Sequence, residues 1–177
     1  MCGYFAKAVV CESGHLVTSN AESEKGPVTP YCMTCGKKII DKCQHCGQDI
    51  PGEEFAETNG LEITYDGMGT TSGPLHESLG FRGVPKYCPS CGKPYPWTQS
   101  AIEAALDYID TLIVLDTSER HDMKKALDNI VADSPKSAPA ARRLVQLSRK
   151  AGKEALKFFQ QVLAGVVCEA AKREMWG

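Results

Sequence analysis

The chain has 177 residues, 42% of them hydrophobic and only 7% aromatic, which suits one domain or two small ones and argues against a single large core. Twenty basic against 22 acidic side chains leave a formal charge of −2, which argues against a chain that coats nucleic acid by bulk electrostatics. Nine cysteines are an odd number for a disulfide framework, and three Cys-x-x-Cys pairs point instead to metal ligation.

Met1-Cys2-Gly3-Tyr4 runs directly into a strand-like segment, without the charged and apolar regions of a secretory leader. The longest late charge-free stretch, Phe158 to Cys168, is shorter than the about 20 residues a spanning helix needs. The expectation is a cytoplasmic protein without a membrane span.

Residues 1–96 hold eight of the cysteines, most of the glycines and short alternating runs such as "YFAKAVV" and "LEITY", which predict a β-rich, loop-rich region. Four ligand pairs follow one another in it: Cys11 with His15, Cys32 with Cys35, Cys43 with Cys46, and Cys88 with Cys91. A two-residue gap lets both sulfurs of a tight turn face one ion, and the glycines after Cys35, Cys46 and Cys91 suit a left-handed backbone at that turn. "PYCMTCGK" and "KYCPSCGK" are copies of one such knuckle, and "CESGH" is a looser version with histidine as its second ligand. His45 and Cys2 compete with His15, but His45 sits between two ligands and is poorly placed to reach the same ion.

Eight ligands make two tetrahedral sites, so two Zn²⁺ ions per chain are expected, with no coordination position left for a substrate. Pairing in sequence order gives a Cys11, His15, Cys32, Cys35 site and a Cys43, Cys46, Cys88, Cys91 site, each a zinc ribbon. The alternative is a cross-braced arrangement joining the first pair to the third. Sequential pairing is favoured because each ribbon then closes locally. Iron is the competitor at the second site, where "KYCPSCGKPYPW" looks like a rubredoxin knuckle.

Between the third and fourth pairs lies a glycine-rich insert, 53–84, of unassigned role. "DGMGTTSG" (66–73) lacks the Gly-Lys-Ser/Thr ending of a phosphate-binding loop and reads as a flexible loop. His76 and His121 have no partnering motif and read as solvated loop or helix residues. Cys2 and Cys168 read as unligated thiols.

At "AVVCESGHLVTS", "YCMTCGKKIIDKCQHCGQDIPG" and "YCPSCGKPYPWT" the chain resembles a bacterial family of uncharacterised small double-zinc-ribbon proteins with a C-terminal helical tail. The resemblance covers residues 4 to 98, and more loosely the tail. It implies that the eight residues named above match the family's ligand positions, and it implies no activity.

Residues 97–177 carry alanine, leucine and charge at helical spacing, so the fold class expected is α+β: an N-terminal double zinc ribbon (1–96) followed by a helical domain (97–177) of about three helices. Ser100-x-x-Glu103 matches a capping box for a first helix running to about Leu115, with Ile102, Leu106, Ile109 and Ile113 on one face. "DTSER" starts a second helix, and Ser137 with Pro139 starts a third, readable as one long amphipathic helix from about 140 to 174 with Gly152 as a candidate break. Its apolar stripe (Phe158, Phe159, Val162, Leu163, Val166, Val167) is either core or a surface for self-association or a protein partner.

Residues 97–134 hold eight acidic and three basic side chains, and 135–177 hold nine basic and three acidic. Either the acidic helices pack beside the basic one, or Arg142, Arg143, Arg149, Lys150, Lys153 and Lys157 form a patch for nucleic acid. No Ser-His-Asp, His-Glu-x-x-His or paired-carboxylate pattern occurs, so a non-enzymatic protein is expected. The leading functional reading is an interaction or adaptor protein; nucleic-acid binding and electron transfer through iron are the alternatives.

Overall fold

The computed structural model describes residues 3–23, 29–65, 70–132 and 134–177, with backbone alone at 59, 61–65 and 70–74. The chain divides into two compact units, Met1–Pro96 and Trp97–Gly177. The first is built of β-strands and the second of helices, the α+β order expected.

The β unit holds two three-stranded antiparallel sheets. In one, β2 (Val9–Cys11) lies between β3 (Leu16–Thr18) and β4 (Ile39–Ile40). In the other, β5 (Pro51–Tyr65) lies between β1 (Gly3–Lys7) and β6 (Thr70–Gly80). Only Ala8 separates β1 from β2, so the chain passes from sheet to sheet almost without a turn. Gly52 permits this: a Cβ there would lie 2.0 Å from the Ser19 carbonyl oxygen and 2.9 Å from that of Ala6. Lys7, at the end of β1, pairs with Asp41 at 2.6 Å and Asp49 at 3.3 Å. The Asp41 carboxylate raises the Lys7 pKa, and the Lys7 ammonium lowers that of Asp41.

The insert 53–84 is largely a long hairpin. "LEITY" is strand, as expected. Of "DGMGTTSG", residues 66–69 lie outside the described residues, whereas Thr70 to Gly73 belong to β6 and correct the loop expectation at those positions. Both faces of this sheet carry exposed apolar side chains, among them Tyr4, Phe5, Leu75 and Leu79.

The helical unit comprises α1 (Pro96–Thr111), α2 (Thr117–Val131), α3 (Ser137–Ala151), α4 (Lys153–Leu163) and α5 (Glu169–Trp176). Helix α1 starts at Pro96, where the missing N–H of proline removes a donor that has no partner in a first turn. The expected Ser100/Glu103 capping box is therefore inside the helix, and Glu103 instead accepts from Gln99 Nε2 at 2.6 Å. The helix also stops short of Leu115, leaving Ile113 88% exposed rather than on the buried face. Helix α2 has the capping box that "DTSER" supplies: the Asp116 side chain accepts from Glu119 N–H at 2.8 Å while Glu119 accepts from Asp116 N–H at 3.2 Å.

The long third helix is divided into three. Gly152 has φ +126°, outside the helical range, and its N–H closes α3 onto the Ser148 carbonyl at 3.0 Å. A second break follows Leu163. The apolar stripe persists through both breaks: Phe159, Leu163 and Val167 are fully buried with Leu127, Ile130 and Leu144. Phe158 stacks on Tyr108 of α1 at 3.9 Å between ring centroids. The core reading of the stripe thus accounts for these residues. No helix among the described residues is long and apolar enough to cross a membrane.

Candidate metal centres

The sequence sets a knuckle at each Cys-x-x-Cys-Gly, and the backbone shows why. Cys32, Cys43 and Cys88 each donate their N–H to the carbonyl five residues on, of Lys37, Gln48 and Lys93, at 2.8, 2.8 and 2.9 Å. Gly36, Gly47 and Gly92 donate back to the first cysteine's carbonyl at 2.8 to 2.9 Å. All three glycines have φ between +69° and +75°, with open space where a Cβ would stand, so the backbone angle alone explains glycine there. The first pair is tighter. Gly14, at φ +86°, donates to the Cys11 carbonyl, and Cys11 N–H closes on the His15 carbonyl.

These turns bring the eight residues into two clusters in sequence order: Cys11, His15, Cys32 and Cys35, then Cys43, Cys46, Cys88 and Cys91. Within each, the four donor atoms lie within 4.8 Å of one another. Two zinc–sulfur bonds of about 2.3 Å at a tetrahedral angle set the sulfurs about 3.8 Å apart. Cys43 and Cys91 stand 3.8 Å apart, Cys46 and Cys88 3.6 Å, and Cys11 and Cys35 3.6 Å. His15 presents Nδ1 at 3.5 Å from the Cys11 sulfur and 3.8 Å from that of Cys32. None of the described cysteines is in a disulfide.

In every pair the first member is buried and the second exposed, so each cluster sits at the edge of the unit with two donors inside and two outside. The thiols are held unequally. The Thr34 N–H is the main cause holding Cys32 down to about 6. Burial pushes Cys88 up, but N–H groups of Cys91 and Ser90, with the neighbouring sulfurs, outweigh it and bring it to about 6. The Lys93 N–H pulls Cys91 down, yet burial and the sulfurs of Cys46, Cys88 and Cys43 prevail and leave it at about 11. Four sulfurs this close cannot all ionise beside one another; a divalent cation removes that conflict, and the donor set fits one.

The other thiols and imidazoles lie elsewhere. His45 is exposed on the third knuckle and belongs to neither cluster. Cys168 is buried at the start of α5, Cys2 lies outside the described residues, and His121 is exposed on α2. His76 is on strand β6, not in a loop, with its ring edge-on to Tyr4. One neighbour of the second cluster escaped sequence reasoning. Tyr95 is 1% exposed; burial and its contact with the Cys88 sulfur push its hydroxyl pKa upward. Its only signal was its place just past the last knuckle.

The molecule is thus defined by two Cys/His clusters able to hold metal ions on a β unit that a helical bundle follows. The chain belongs to the family described as "Uncharacterized protein conserved in bacteria (DUF2321)", whose model matches residues 4–175. That match runs on through the helical unit, past the residues that carry the ribbon motifs. No curated protein and no solved structure matches the chain.

Proposed function

We propose that this is a non-enzymatic zinc-binding interaction protein, whose two zinc ions are structural and whose helical unit and sheet surfaces engage protein partners in the cytoplasm. The observation that carries the structural role is the donor count. Each cluster supplies four Cys or His atoms at tetrahedral spacing, which fills the coordination sphere of zinc and leaves no position for substrate. Thiolate and imidazole donors suit zinc, and a reducing compartment keeps such thiols available.

The nucleic-acid reading is weakened by where the basic residues go. Arg142 makes a two-pronged pair with Glu174, Arg143 pairs with Asp122 at 2.8 Å, and Lys150 pairs with Glu119 at 2.5 Å. Half of the six cations that would meet phosphate are engaged within the helical unit.

Metal analysis of purified protein should find two zinc per chain in a colourless solution. A red protein containing iron would overturn the assignment. A pull-down with the metal-loaded chain should recover a protein partner or further copies of the chain. Recovery of DNA or RNA that is lost steeply with salt would favour the nucleic-acid reading instead.

A further inference from the structure

The sheet β1–β5–β6 carries an organised surface that the metal clusters do not use. Cross-strand register sets Tyr4 beside Phe55, Phe55 beside Ser78, and Glu57 beside His76. Because alternate residues of a strand share a face, Glu53, Phe55 and Glu57 line up with Tyr4, His76 and Ser78. The contacts agree: the Ser78 hydroxyl donates to Glu53, Tyr4 stacks on Phe55 at 5.2 Å with rings 11° from parallel, and His76 meets Tyr4 edge-on at 5.2 Å. Tyr4 is 45% exposed. The result is an aromatic platform bracketed by two carboxylates.

Such a face selects a cation. Ring faces are electronegative and attract ammonium or guanidinium groups, and the flanking glutamates add to that attraction while repelling phosphate. Glu53 and Glu57 lie on this face, and residues 51–80 contain neither lysine nor arginine. The chain itself carries the complement. Arg149, Lys153 and Lys157 are exposed near the junction of α3 and α4, and no ion pair among the described residues includes them.

We propose that the Tyr4–Phe55–His76 face, with Glu53 and Glu57, docks the basic α3–α4 surface of a second copy of this chain. Each copy carries both halves of the contact, so a second copy of the chain supplies the basic surface that this face would receive. This deepens the interaction reading above and rests on it.

Sedimentation velocity on the metal-loaded full chain, from about 1 μM to about 1 mM, tests the proposal. A monomer–dimer equilibrium is expected at about 0.01 M salt, shifting to monomer at about 1 M as screening shortens the reach of the charges. Tyr4→Ala and Glu57→Gln should each weaken dimerisation about tenfold. Lys153→Glu should weaken it too, and the double variant Glu57→Lys with Lys153→Glu should recover part of the loss. Unchanged zinc content in Glu57→Gln guards against mistaking misfolding for a docking defect. A chain that stays monomeric at low salt, or a dimer indifferent to these substitutions, overturns the proposal. Perturbation of the Tyr4 face by an oligonucleotide or an octa-arginine peptide without dimerisation overturns it as well. A monomer that still recovers a protein partner in the pull-down sinks self-docking alone and leaves the interaction reading standing.

Discussion

The two units of this chain solve the problem of staying folded by different means. In the helical unit one continuous cluster, from Ala105 to Met175, buries leucine, isoleucine, valine, methionine and phenylalanine side chains from all five helices. In the β unit, besides cysteines and alanines, the buried apolar side chains among the described residues are Val9, Val10, Ile50 and Tyr95. At about 1.5–3 kcal/mol for each large side chain, four cannot offset the ordering of so many residues. What the β unit lacks in apolar burial its thiolates can supply through metal, since structural zinc contributes folding free energy directly. A chain can therefore carry two modules whose stabilities answer to different conditions.

Metal removal should separate the two units most strongly. Chelation should unfold the β unit and leave helical circular dichroism largely intact, because structural zinc is worth on the order of 10–16 kcal/mol in small metal-held modules. Helix loss in step with the metal would show that the units stand or fall together. Next, Phe159→Ala opens a cavity at a fully buried position and should cost about 3–5 kcal/mol in urea unfolding of the helices, with metal content unchanged from the parent chain. Gly92→Ala acts on the other side. It forces alanine to φ near +69° and should cost about 1–2 kcal/mol, read as earlier zinc release to a competing chelator at an unaltered helical transition. Asp116→Ala removes the α2 cap and should cost about 1 kcal/mol, lowering the helical midpoint while leaving zinc release untouched. If either of the last two moved the other unit's transition, the two units would be coupled in stability.

The clusters were readable in the sequence because a knuckle is local. Two cysteines, a two-residue gap and a glycine determine the turn whatever surrounds it, and the pairing of Cys11, His15, Cys32 and Cys35 needs only a short β2–β4 ladder. The hairpin of 51–80 was not readable, apart from "LEITY". Among the described residues its sheet exposes apolar side chains on both faces, so burial on one side imposes little alternation there, and its glycines suggest a loop. The break at Gly152 had its signal in the glycine itself, whereas the break after Leu163 escaped for the opposite reason. Phe158, Phe159, Leu163 and Val167 keep helical spacing across the break after Leu163 because the helices on either side face the same core, and periodicity reports the face rather than the continuity of the axis. The early stop of α1 had no signal in Ile113, whose apolar character continued the pattern into an exposed turn.

The short segment Ala8 to Cys11 has a consequence for how metal would be taken up. Its Val10 and Cys11 pair with Ile40 and Ile39, and its Ala8 N–H reaches the Ile50 carbonyl at 2.8 Å. Ile50 N–H in turn closes on the Asp41 carbonyl at 2.9 Å. Residues 38–42, between the second and third knuckles, are thereby sewn into a ladder. The same four residues brace one knuckle of each cluster, so order in either cluster is passed to the other through backbone hydrogen bonds. When metal is titrated into the metal-free chain, native mass spectrometry should therefore find chains with two ions or with none outnumbering chains with one.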